Sequence, residues 1–117
     1  MTPIYDRSGR VCAWLDDTMI RDLGGRVSAF VSGAELVGST GRHLGRFQDG
    51  NMRDHWGAVV AWVKGATGGP LKPIPEIPPL TPIPAIPPVP PIPPIPPLPA
   101  LPSLSWSDMT WQQFIGQ

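Results

Sequence analysis

Ile4-Tyr5-Asp6-Arg7-Ser8-Gly9-Arg10-Val11-Cys12-Ala13-Trp14-Leu15 is answered 16 residues later by Ile20-Arg21-Asp22-Leu23-Gly24-Gly25-Arg26-Val27-Ser28-Ala29-Phe30-Val31. Gly9, Gly25, Gly41 and Gly57 set a frame with the same 16-residue step. Five residues before each glycine stand Ile4, Ile20, Leu36 and Met52, and three before stand Asp6, Asp22, Gly38 and Asp54. Four after come Ala13, Ala29, Gly45 and Ala61, and six after come Leu15, Val31, Phe47 and Val63. Ungapped agreement at this many columns in four copies marks an internal repeat.

The unit reads as a β-hairpin. Asp-x-x-Gly suits a type I turn. The Asp side chain accepts from the backbone two residues on, and the Gly takes φ > 0 to close a bulge. Asp6, Gly9, Asp22, Gly25, Gly41, Asp54 and Gly57 are therefore the turn-forming residues. The flanks alternate and are rich in Val, Ile, Leu and aromatics. Turn residues recur between units, at 16–18, 32–34 and 48–50. The expectation is eight short strands in four hairpins.

If Asp6 pairs with Arg10, alternation puts Ile4 with Cys12 and Trp14, and Val11, Ala13 and Leu15 opposite. Both faces are apolar, and one hairpin is marginal alone, so the four must close on one another. The column Ala13, Ala29, Gly45, Ala61 holds only very small side chains, as strands converging on a shared axis would need. This predicts an all-β head over residues 1–66 with pseudo-fourfold symmetry.

The repeat resembles the bacterial family called the 4-fold beta flower proteins. The residues that carry the likeness lie between about 3 and 65. It implies a fold of four β-hairpins around an axis and implies no activity. The third copy departs from the pattern, with Gly38 in place of Asp and Arg46 in place of the aromatic.

Residues 67–104 have a different period. Seventeen of the 18 prolines fall between Pro70 and Pro102. Leu71, Ile74, Ile77, Leu80, Ile83, Ile86, Val89, Ile92, Ile95, Leu98, Leu101 and Leu104 recur every third residue. Proline fixes φ and biases its predecessor to extended backbone. A polyproline II helix has three residues per turn, so these aliphatics share one edge, on the order of 100 Å long if straight. Such an edge should pack. Aromatic grooves are the usual receptors for these helices, and Trp14, Phe30, Trp62 and Trp56 are candidates in the head. The straight arm is longer than one head is wide, roughly 25 Å. It is expected to bundle with other arms or to cross several heads.

Residues 105–117 carry Trp106, Trp111 and Phe114. Ser107 is the expected N-cap of a short helix, and the segment reads as a docking peptide.

The bulk numbers exclude several function classes. Lys+Arg and Asp+Glu are both 9, so there is no basic field for nucleic acid. No apolar run of transmembrane length exists. No secretory signal is visible, so a cytoplasmic location is the default expectation. Cys12 is single and sits in an apolar strand. His43 and His55 lack a Cys or carboxylate at metal spacing. No cofactor, metal or catalytic residue is expected, and the chain reads as no enzyme.

The leading expectation is a structural or assembly protein that forms a homo-oligomer through its head and arm. The interaction residues would be Trp14, Phe30, Trp62, Ile74, Ile77, Ile83, Ile86, Ile92, Ile95, Leu98, Trp106, Trp111 and Phe114. One alternative is an adaptor that recruits another protein through residues 105–117. Another is a module that binds carbohydrate or a small ligand on the aromatic face.

Overall fold

The computed structural model describes residues 1–117. Eight strands follow in order: β1 (Thr2–Tyr5), β2 (Val11–Asp16), β3 (Met19–Arg21), β4 (Val27–Ser32), β5 (Glu35–Gly38), β6 (His43–Gln48), β7 (Asn51–Arg53) and β8 (Val59–Trp62). Each pairs antiparallel with the next, and β1 meets β8 through Tyr5 and Trp62, closing a barrel. Closure removes the free edges that eight short strands would otherwise expose. A segment without helix or strand then leads to one helix, α1 (Trp111–Ile115).

The turns form as the residues dictate. Asp6 Oδ1 accepts from the amides of Ser8 and Arg10, and Asp22 and Asp54 do the same in their own turns. Gly9, Gly25, Gly41 and Gly57 all have φ between +83° and +92°. Gly38 has no carboxylate, yet its turn keeps the backbone bond from the Gly41 amide to the Gly38 carbonyl, 2.9 Å.

A register shift follows in every hairpin, between Ile4/Tyr5, Ile20/Arg21, Leu36/Val37 and Met52/Arg53. This bulge corrects the face assignment. Ile4 lies opposite Ala13, so these two point into the barrel, while Trp14 joins Tyr5, Val11 and Trp62 on the outer wall. A bulge places two residues against one, so simple alternation cannot be carried through it.

The interior is filled by two columns and one plug. Ile4, Ile20, Leu36 and Met52 are fully buried, as are Ala13, Ala29 and Ala61. Phe114 and Trp111 of α1 enter the same cluster. A methyl on Gly45 would overlap the Arg53 carbonyl oxygen and crowd the Phe114 ring. The small column thus makes room for a ring supplied by the C-terminus.

Helix α1 is too short to hold itself. It is fixed by burial and by a capping box: Thr110 Oγ1 accepts from the Gln113 amide, and Gln113 Oε1 accepts from the Thr110 amide. Thr110, not Ser107, is the N-cap. The Ser107 hydroxyl is instead buried and donates to Asp54 Oδ2.

Candidate functional site

Residues 70–104 do not project as a straight arm. They run once around the barrel and cross the four hairpin turns in chain order. Methyl groups built on Gly9, Gly25 and Gly57 would overlap the carbonyl oxygens of Ile74, Ile83 and Leu101. The amides of Glu76, Ala85 and Ser103 donate to the carbonyls of Gly9, Gly25 and Gly57 at 2.8, 3.1 and 3.0 Å. Crossings therefore recur every nine residues of the segment and every 16 of the head. The result is a hoop, and the molecule measures 37 × 36 × 21 Å.

Polar groups on the outer wall fasten the hoop. Arg21 Nη1 donates to the carbonyls of Gly25 and Ala85, while its Nε donates to Asp16. In the first copy Glu76 Oε1 accepts from the Val11 amide at 2.6 Å. Arg53 closes the ring. It donates to Gly57 and Ser103 through Nη1 and to Gly68 through Nη2, all within 2.7 Å. Gly68 precedes the hoop and Ser103 ends it, so one guanidinium joins both ends. Beside it Lys72 Nζ lies 5.7 Å from the Trp106 ring centre, another bond between start and end. Burial lowers the pKa of the Arg53 guanidinium, partly offset by the charges of Asp49 and Asp54. Burial and the Arg53 charge likewise lower that of Lys72.

The third copy lacks these fastenings. Val37 stands where Arg21 and Arg53 stand, and Pro94 falls where Glu76, Ala85 and Ser103 supply their amides. Pro94 has no N–H to give. A methyl on Gly41 would find its nearest hoop atom at 3.6 Å, so the approach is looser there. A cavity of about 250 Å³ opens nearby, lined by His43, Arg46, Asp54, His55 and hoop residues 97–100. In it His43 Nδ1 lies 2.9 Å from His55 Nε2, and His43 Nε2 lies 2.8 Å from Glu35 Oε1.

The hoop contacts the barrel through prolines and backbone, and its aliphatic edge faces away. All twelve edge residues, Leu71 to Leu104, are between 72% and 96% exposed. Ile74, Ile77, Ile83, Ile86, Ile92, Ile95 and Leu98 thus form one outward-facing surface.

The aromatic residues lie elsewhere. Trp14, Phe30 and Trp62 are buried, and Trp62 Nε1 donates to the Asp6 carbonyl. Trp111 and Phe114 are buried in the barrel mouth, and Trp106 is half-buried, bridging to Val59. The expected aromatic groove and free docking peptide are therefore spent on the chain's own packing. Of the four aromatic candidates in the head only Trp56 is exposed. The histidine pair was missed, because His43 and His55 come from different copies, 12 residues apart. No group of three or more His, Cys, Asp or Glu is placed to hold a metal ion. No helix is long and apolar enough to cross a membrane.

A closed barrel of repeated hairpins with its own C-terminal segment wrapped around it defines the class. The chain belongs to the 4-fold beta flower protein family, whose model matches residues 2–115. The match therefore takes in the proline-rich hoop and the helix, beyond the hairpins that carried the resemblance. No curated protein and no solved structure matches the chain.

Proposed function

We propose that the chain is a non-enzymatic assembly protein that self-associates edge to edge through its hoop. One observation carries this reading: an uninterrupted ring of twelve aliphatic side chains left in water. Soluble monomers rarely expose contiguous apolar patches above a few hundred Å². Burying one such side chain is worth about 1.5–3 kcal/mol, or roughly 60–120 Å² at 25 cal/mol per Å². Twelve correspond to roughly 700–1,400 Å². The whole surface is 6847 Å², whereas a monomer of 12.6 kDa should expose about 6,200 Å².

The finer geometry belongs to the same reading. The hoop is a polyproline II helix bent round a pseudo-fourfold head. Nine residues are three turns of that helix, so the same edge meets each hairpin and the opposite edge always faces out. At about 3.1 Å per residue, the 35 residues of 70–104 span about 110 Å. A circle as wide as the molecule, 36 Å, has a circumference of about 113 Å.

An apolar edge without charges is complementary to itself. A convex rim meets a second rim along an arc only, so each contact leaves further arcs free. Such growth does not close by necessity and favours open lateral assemblies. Asp17, Asp49 and Lys64 are exposed in the turns that the hoop does not cross, and desolvating them opposes stacking.

Ile77, Ile86 and Ile95 lie between crossings and are about nine-tenths exposed. Replacing all three by Asn should disperse the assembly in light scattering without changing the circular dichroism spectrum. Equal mass for the parent and the triple variant would sink the reading.

A further inference from the structure

The third copy is the one place where the hoop is unfastened, and the one place where two histidines meet. We infer that Glu35, His43 and His55 form a latch that counts protons. It stays closed with up to one extra proton on the imidazole pair and opens on the second. The inference does not rest on the proposed assembly, since it is argued from contacts within one chain.

Proton positions follow from the partners. The Glu35 carboxylate can only accept, so His43 Nε2 donates to it across 2.8 Å. Neutral His43 then presents a lone pair at Nδ1, and His55 Nε2–H donates to it across 2.9 Å. One added proton is accommodated. His43 becomes imidazolium and donates from Nδ1, while His55 takes the tautomer with its lone pair at Nε2. A second proton puts N–H groups on both facing nitrogens. The bond is then impossible, and two cationic rings are left stacked with centroids 5.1 Å apart.

His55 meets water on its outer side, but no further free carboxylate faces the pair. Glu35 is shared with Arg46, whose Nη1 lies 3.2 Å from its Oε2. Asp54 lines the same cavity, but its oxygens already serve the Trp56 and Ala58 amides and the Ser107 hydroxyl. Trp56 meets His55 edge-on and supplies no charge.

The bond spans two hairpins. His43 is on β6, and His55 is in the β7–β8 turn. Above them the hoop has no amide to give at Pro94 and keeps its distance from Gly41. Parting the pair therefore opens the mouth of the 250 Å³ cavity and loosens the hoop in this quarter alone. Elsewhere Arg21, Glu76 and Arg53 hold it.

The test is histidine NMR on the full chain from pH 8 to 5, the interval over which imidazoles take up protons. At the upper end a scalar coupling across the N–H···N bond should join the two rings, and it should vanish toward the lower end. In His43→Gln the coupling is lost, and the pH dependence of the His55 ring signals should change from that of the parent. Signals of hoop residues 97–100, which line the cavity, should shift as the coupling is lost, while those of Ile77 and Ile86 should not. The coupling is read on the unaltered protein, so the test does not depend on the variant folding. Absence of the coupling at pH 8, or a His55 curve that superimposes in the parent and His43→Gln, would overturn the latch.

Discussion

Arg53 is where the hoop closes, and its replacement is the most informative perturbation. Its guanidinium is buried and gives three hydrogen bonds to the carbonyls of Gly57, Gly68 and Ser103. Hydrogen bonds to charged groups contribute roughly 1.5–3 kcal/mol each, so the gross contribution is about 4.5–9 kcal/mol. Against this stand the desolvation of the cation and about 2 kcal/mol of side-chain entropy. Once the hoop ends part, the three carbonyls are rehydrated. For Arg53→Met, which keeps the apolar stem, a net loss of about 3–5 kcal/mol is expected, as for a broken buried charged network. Against a typical stability of about 5–15 kcal/mol this is large. Arg53→Lys keeps the charge but cannot reach three carbonyls with one ammonium, so it should lose about half as much. Urea unfolding followed by tryptophan fluorescence gives the magnitude. Amide exchange locates it: Ser103, whose N–H donates to the Gly57 carbonyl, should exchange early in Arg53→Met. A midpoint shift worth under about 0.5 kcal/mol, the size of an ordinary surface change, would refute the buckle.

Three further outcomes follow from the same contacts. Phe114→Ala empties the barrel mouth and should cost about 3–5 kcal/mol in urea unfolding. Gly25→Ala and Gly41→Ala share the strain of a positive φ, but only the former strikes a hoop carbonyl. Calorimetry should therefore give Gly25→Ala the lower Tm by several degrees. The Cys12 thiol donates to the Ile4 carbonyl, and burial, with the Asp6 charge, pushes its pKa far up from the ordinary value. The folded state thus holds its proton where the unfolded state releases it. That contribution to stability is complete below the ordinary cysteine range, near about 8.5, and declines as the pH rises above it. Cys12 is half-buried, and iodoacetamide at pH 8 should label it more slowly in the folded chain than in the urea-unfolded chain.

The hairpins were legible because a turn is a local event. Asp6, Gly9 and their counterparts carry its chemistry within four residues. The bulge was not legible, since the type of turn does not fix how many strand residues oppose one another beyond it. The hoop was half legible. The three-residue period showed that the aliphatics share an edge, and the expectation that this edge packs on aromatic residues of the head was reasonable on area alone. The edge that meets the head is the proline one. Its signal was the placement of Glu76, Ala85 and Ser103, amide donors at a nine-residue phase among prolines. The phase has meaning only once the turn carbonyls of Gly9, Gly25 and Gly57 are known to form a ring. Trp111 and Phe114 illustrate the same limit. A terminal apolar cluster reads equally as a peptide for a partner or as a plug for its own barrel. Only the hollow left by Ala13, Ala29, Gly45 and Ala61 decides between them.

Photo-cross-linking tests most directly the claim that the outward edge of the hoop joins one copy to another. A benzophenone amino acid placed at Ile86, exposed and between crossings, should give covalent dimers of the full chain. Their cross-links should map to edge residues such as Ile77, Ile86 or Ile95 of the second copy. The same group at Ser32, at the end of the barrel, should give none. Cross-links from Ile86 that map to the barrel ends, or no dimer at a concentration where light scattering finds assembly, would contradict the account.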